Sequence, residues 1–398
     1  RAIGTPDEGK TSWAEGDELL LVIDNTFYGK QYATFTYNGK SWKLTSGELV
    51  YREGDPAYIP HVYYAPNYKW EAGKLVLKEG KVAGTDEYIE GNARITGNDE
   101  TITVSFAGAT RNYSRLRIAT MPNKPITVSI NEYTPAGSSD MKWDQNYALT
   151  SDEKGNAYLY GTFENNSEVT VKYREAALTT HTFSQATESA KSYALDATVI
   201  SANSAEEIKT AIEQKVADGK TTIRLNLAPN AGTNEFMAIR EAIKGAAPND
   251  LGTIELTIIG VETIPEEAFY KMLQLKSVRM SDVKEIKKYA FKECQYLTVV
   301  EAPSLNKLYS GAFKKCDQLS KLTFGPINYA DARNWPIFEY ITPNIDLILS
   351  DYQKEMIETD SYLYTANNDR DYAGSDEHNS KNFLGREFRS ITCRYPVK

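Results

Sequence analysis

The chain has 398 residues, of which 41% are hydrophobic and 25% charged, and carries a net charge of −9 at neutral pH, with a pI near 5.2. That length accommodates two or three domains of a folded, soluble protein. The acidic balance argues against nucleic acid, whose phosphates require a basic face, and no run of roughly 18 apolar residues is present to span a bilayer.

Gly4 through Thr11 read GTPDEGKT, which matches the spacing of a phosphate-binding loop. Such a loop works only between a buried strand and a helix N-terminus. Here only Arg1, Ala2 and Ile3 precede Gly4, the following SWAEGDELLLVID reads as a strand, and Asp7 and Glu8 would place negative charge in an anion cradle. No nucleotide is expected, and residues 1–10 read as an N-terminal linker in which Lys10→Ala alters only local charge. Because the chain starts at Arg1 rather than Met, it reads as a mature or truncated form.

From there to about residue 195 the pattern is one of short strands punctuated by turns. Tyr32, Thr34 and Thr36 alternate with Ala33, Phe35 and Tyr37 ahead of Asn38-Gly39, a hairpin signal. HVYYAP, KLVLKEG, TITVSFAG, PITVSINEY and SEVTVKY continue the theme. At about 100 residues per sandwich, this length predicts two all-β sandwiches, residues 11–88 and 89–195, joined in the turn-rich stretch from Gly84 to Asn98. Tyr outnumbers Phe, 27 to 13, which suits both strands and contact surfaces.

The composition changes near residue 196. Ser204 and Glu207 form a capping-box signature, Ile208, Ala211, Ile212 and Val216 share one helical face, and Gly219 supplies a stop. TTIRLNL reads as a strand, and NEFMAIREAIKG as a second helix running to Gly245. IPEEAF, IKKYAF and LYSGAF, ending at Phe269, Phe291 and Phe313, then recur at a period of 22 residues. Leu275, Leu297 and Leu319 align, as do Val278, Val300 and Leu322, and Met280, Ala302 and Phe324; Leu256 and Ile258 fit the same columns. A period in this range with L-x-x-V-x-M strands signals a leucine-rich-repeat solenoid, because one unit cannot bury its apolar side alone. The expected solenoid covers residues 196–350 with a helical N-terminal cap, NIDLILSDYQ being one more strand, and residues 351–398 form a C-terminal cap.

Two resemblances sharpen this reading. The columns Ile286, Ala290, Phe291, Cys294, Leu297 and Leu308, Ala312, Phe313, Cys316, Leu319 resemble the BspA-type leucine-rich repeat, with Met272 standing at the Cys position of the first unit. The N-terminal half resembles the fimbrillin-like (Mfa-like) family of Gram-negative anaerobes through Trp13 to Asp17, Trp42, Val62 to Pro66, Val104 to Phe106 and Leu116 to Ile118. That resemblance implies two transthyretin-like sandwiches ahead of the α/β solenoid. It also implies a cell-surface adhesion protein, anchored in the outer membrane through a lipidated Cys upstream of Arg1, or a fimbrial part that accepts a donor strand from the next subunit.

No catalytic constellation stands out. His61, His181 and His378 lie far apart, and no HExxH or GxSxG motif or zinc-spaced Cys/His cluster occurs, so a non-enzymatic protein without cofactor or metal is expected. Cys294 and Cys316 read as two small buried residues in a stacked column. The acidic loop with Asp369, Asp371, Asp376 and Glu377 lacks EF-hand spacing and reads as solvated. The strand positions that alternate with the core columns remain: Glu255, Thr257, Ser277, Arg279, Val299, Glu301, Lys321 and Thr323. They are expected to line one open sheet face, with Arg279 beside Glu301, and to contact host extracellular-matrix or surface proteins or other fimbrial subunits. A glycan-binding module is the weaker alternative, suggested by the many Tyr and Trp residues.

Overall fold

The computed structural model describes residues 5–6, 9–10, 12–25, 28–50, 60–97, 102–330, 337–341, 344–350, 382–383 and 386–395. The chain divides into two compact units, Arg1–Thr198 and Val199–Lys398.

The first unit is all β. Its leading part is a single six-stranded sheet in the order Trp42–Gly47, Gly29–Tyr37, Glu18–Asn25, His61–Tyr64, Ile89–Gly97, Ile102–Thr110, with every pair antiparallel. Leu19, Leu21 and Ile23 alternate onto one face and pack with Ala33, Val62 and Ile89. The sheet curls on itself. Phe106, on one edge strand, lies 6.1 Å from Trp42 on the opposite edge and 6.1 Å from Phe35 (ring centroids). A hairpin, Tyr68–Glu71 with Lys74–Leu77, sets Tyr68 and Trp70 beside Leu20, which points to the other face.

This differs from one expected boundary and one expected architecture. Ile89–Gly97 and Ile102–Thr110 complete the first sheet instead of opening the second, so the first β region ends at Thr110 and is a curled sheet rather than a two-sheet sandwich. The Gly/Asn-rich stretch there fits a linker and a hairpin connection equally well, and only the pairing of Gly97 with Ile102 separates them.

The second part is two packed sheets. One runs Thr5–Pro6, Lys191–Asp196, Ser114–Ala119, Asn156–Phe163, Tyr133–Pro135; the other runs Gln145–Thr150, Pro125–Ile130, Glu168–Tyr173, Ala176–Thr182. Alternate residues of both (Leu116, Ile118, Val128, Ile130, Leu159, Val169, Val171) are fully buried, and Tyr133 of one sheet meets Tyr147 of the other at 5.8 Å. Thr5–Pro6 pairs with Ser192 and Lys191, so the expected linker contributes an edge strand.

Lys10 is likewise built in. Its N–H donates to Glu87 Oε1 at 2.9 Å, its ammonium pairs with Asp17 at 2.7 Å and lies 5.0 Å from the Tyr64 ring. Glu87, itself buried, also accepts from the Tyr113 hydroxyl at 3.0 Å and from Arg111 Nε at 3.3 Å. Arg111 in turn donates to Lys10 O at 3.1 Å. This buried knot ties the curled sheet to the strands that follow it.

The second unit opens with α1 (Ala205–Ala217). Ser204 Oγ accepts from Glu207 N–H at 3.3 Å, and Glu207 Oε2 accepts from Asn203 N–H at 2.9 Å, so the reciprocal cap reaches one residue further back than the signature implies. Ile208 and Ile212 are buried, and Gly219 takes φ +72° just past the helix. α2 (Thr233–Ala246) buries Phe236, Ile239, Ala242 and Ile243.

Eight strands then form one all-parallel sheet: Ile200–Ser201, Thr222–Asn226, Ile254–Ile259, Leu275–Met280, Val299–Ala302, Lys321–Phe324, Asp346–Ser350 and Ser390–Tyr395. A narrow second sheet stacks Thr263–Ile264, Glu285–Ile286, Lys307–Leu308 and Tyr329–Ala330. Between them runs a spine of rings. Phe269, Phe291, Phe313 and Phe338 stack at 5.1, 5.4 and 5.7 Å, with Phe236 of α2 closing one end at 5.6 Å and Phe388 the other at 5.5 Å. The step from Phe313 to Phe338 is longer than 22 residues, which is why the period blurs there. The expected strand in NIDLILSDYQ is present as Asp346–Ser350. Ser390–Tyr395, expected in a cap, instead extends the sheet; residues 351–381 lie outside the described residues.

Candidate binding face of the repeat sheet

On a parallel sheet, residues in register form columns across strands roughly 4.8 Å apart. One column on the face away from the ring spine is Thr222, Glu255, Ser277, Val299, Lys321, Asp346, Ser390. The other is Arg224, Thr257, Arg279, Glu301, Thr323, Ile348, Thr392. All eight residues singled out by spacing lie in these columns. The predicted Arg279–Glu301 neighbours form an ion pair, with Nε donating to Oε2 at 2.9 Å.

Their accessibility differs from the expectation of one open row. Thr257, Ser277 and Thr323 are only 4%, 6% and 7% exposed. Each short side chain sits between two longer neighbours one strand away: Thr257 between Arg224 and Arg279, Ser277 between Glu255 and Val299, Thr323 between Glu301 and Ile348. The accessible part of the face is therefore Glu255, Arg279, Val299, Glu301 and Lys321. Lys276 Nζ reaches Glu255 at 2.9 Å, so the charges lie in a partnered array.

The flanking strands add residues to the same columns that the repeat period alone missed. Asp346 accepts from Ser390 Oγ at 2.6 Å and from Arg389 Nε at 2.8 Å. Those bonds, Arg389 first, pull its carboxyl pKa down to about 2. Arg224 is buried and begins the column that Arg279 continues; its place in TTIRLNL was the available signal. Asp346 had the same kind of signal, its place in NIDLILSDYQ, but the longer step after Phe313 hid its column, and Ser390 gave none.

The remaining sequence candidates stay apart from this face. Cys294 and Cys316 are free thiols whose Sγ atoms donate to Phe269 O at 2.9 Å and Phe291 O at 3.0 Å. Burial pushes the Cys294 thiol up to about 12, and Cys316 well above its ordinary value. His61 and His181 lie on different sheets, and burial lowers the pKa of His181. No group of His, Cys, Asp and Glu suited to a metal ion occurs among the described residues; Asp369, Asp371, Asp376, Glu377 and His378 lie outside them. No helix among the described residues is long and apolar enough to cross a membrane.

Comparison with known proteins bears on the same region. No curated protein and no solved structure matches the chain. Residues 251–359 match, in six copies, the family model described as the BspA type leucine rich repeat region. The stacked Phe269, Phe291, Phe313 and Phe338, both buried Cys, and the face positions from Glu255 to Ile348 thus lie in a BspA-type leucine-rich-repeat region.

Proposed function

We propose that the chain is a non-enzymatic cell-surface adhesion protein in which the β unit acts as a stalk and the repeat sheet presents a protein-binding face. BspA-type repeats are associated with surface adhesion proteins. The observation that carries the reading is the parallel sheet itself, whose side-chain columns offer Glu255, Arg279, Val299, Glu301 and Lys321 on a rigid scaffold. The partner is a protein of the host extracellular matrix or cell surface. A transthyretin-like architecture for the two packed sheets of the second β region, a lipidated Cys upstream of Arg1 and attachment to the outer membrane belong to this proposal. The test is binding of the full chain to immobilised matrix proteins, comparing the parent with Arg279→Glu and Lys321→Glu. Unchanged binding by both variants rules the face out.

A second reading, an accessory fimbrial subunit assembled by donor-strand exchange, is favoured by one observation. Among the described residues, the two edge strands of the six-stranded sheet pair with nothing further, and between them lie half-buried Phe35, Trp42, Ile95, Val104 and Phe106. Concentrated protein that stays monomeric by light scattering, with and without an added strand peptide from a second copy, counts against it.

A further inference from the structure

The protein as a whole is acidic, yet residues 264–329 hold eleven Lys and Arg against seven Asp and Glu. Part of that excess gathers on the turn side of the repeats, away from the sheet columns. Lys271 lies 5.1 Å from the Tyr270 ring, Lys292 lies 5.0 Å from Tyr270 and 4.8 Å from Tyr289, and Lys288 lies 4.9 Å from Tyr289. The result is a continuous alternation: Lys271, Tyr270, Lys292, Tyr289, Lys288. One carboxylate is in contact with it, Glu293, 3.5 Å from Lys271 and 3.8 Å from Lys292. Lys288 makes no ion pair among the described residues.

We propose that this strip is a docking site for a sulfated polysaccharide. Three ammonium groups facing a single carboxylate leave net positive charge fixed on a rigid ladder, which attracts a linear polyanion. The strip uses Lys, a compact point charge that suits tetrahedral oxyanions; planar carboxylates of an acidic peptide are better met by the bidentate fork of Arg. Each Tyr ring has two ammonium groups within 5.1 Å of its centroid, which crowds the approach of a stacking nucleobase, while phenol hydroxyls suit sugar hydroxyls. Burial, then Arg240 and later Lys271, holds the Lys244 ammonium beside the strip below its usual range, as like charges crowded together do. Lys314, next along the stack, is matched by Glu339 at 2.5 Å and ends the strip.

The proposal does not depend on the protein-binding reading of the sheet face, since the two use different residues. The experiment measures binding of the full chain to immobilised dextran sulfate and to unsulfated dextran at increasing salt. The expected result is binding to dextran sulfate alone that weakens steeply with salt. It should drop by on the order of 10-fold in Lys288→Glu/Lys292→Glu and in the milder Lys271→Gln/Lys288→Gln. Arg279→Glu, on the sheet face, should bind as the parent does. The proposal is overturned by equal binding to both dextrans, or by full retention in the folded Lys271→Gln/Lys288→Gln variant. It is also overturned if polyglutamate or a single-stranded oligonucleotide displaces the chain from dextran sulfate more effectively than free dextran sulfate does.

Discussion

Cys294 and Cys316 illustrate how position in a stack decides chemistry. Each thiol donates to the carbonyl of a Phe in its neighbourhood and is wholly buried, and a thiol held in its neutral form is a poor nucleophile. Iodoacetamide at pH 8 should therefore leave both unmodified in the folded protein and alkylate both in denaturant, read by mass spectrometry of the peptides. Glu87 is the corresponding residue of the β unit. Its carboxylate accepts from Lys10, Arg111 and Tyr113, so Glu87→Ala strands several donors and should cost about 3 kcal/mol in chemical denaturation. Lys10→Ala should cost about 1 kcal/mol through the loss of the partly buried Asp17 pair, against the neutrality its sequence context suggested. The two cases mark what a sequence reveals. The Cys column was legible because the spacing repeats it. The role of Lys10 was not, because Glu87 and Arg111 reach it from 77 and 101 positions away and no local pattern records such a meeting.

At the scale of elements, the turn ladder and its helical cap belong together. Glu267, Phe269 and Lys271 N–H donate to Lys288, Ala290 and Lys292 O, and Tyr289, Phe291 and Glu293 N–H to Ser310, Ala312 and Lys314 O, three bonds between successive turns. The first turn has no preceding repeat to serve its carbonyls, and α2 fills that role: Lys244 Nζ donates to Tyr270 O at 3.4 Å and Arg240 Nη1 to Glu267 O at 2.9 Å. Arg240→Ala and Lys244→Ala should each destabilise the repeat unit by about 1 kcal/mol, measured by thermal unfolding, with the β unit unaffected. The ladder takes left-handed residues twice per turn: Glu267, Tyr289 and Gly311 at φ +55°, +56° and +62°, and Lys271, Glu293 and Lys315 at φ +55°, +62° and +58°. A Cβ at Gly311 would come within 2.4 Å of the Tyr289 ring, so Gly311→Ala should destabilise by about 2 kcal/mol. Glu267→Gly, at the same position of an earlier turn, should be neutral or stabilising by up to about 1 kcal/mol. The repeats were legible because every apolar column recurs. The curl of the first sheet was not, since alternation fixes which face a residue takes and says nothing about which strands become edges.

At the scale of the whole molecule, two units with separate cores should unfold in two steps, and alkali should distinguish them. In the β unit burial raises the pKa of Tyr88, Tyr113, Tyr133 and Tyr160 above its ordinary value of 10.0, and that of Tyr147 to about 12. The folded state holds these phenols neutral while the unfolded chain ionises them, so their contribution is intact below pH 10 and fades as pH climbs toward 12. Calorimetry across that window should show the β-unit transition falling, with tyrosinate absorbance rising only as the unit unfolds. The ring spine has a further consequence, for how such a chain can change length. Because Phe269, Phe291 and Phe313 are equivalent stops on one track, removing or duplicating a whole 22-residue segment upstream of Phe313 brings like against like and leaves every bond of the ladder a partner. A change of any other size, or one made across the longer step to Phe338, breaks the match. The molecule is thus adjustable in reach by whole increments on one side of Phe313 and fixed on the other.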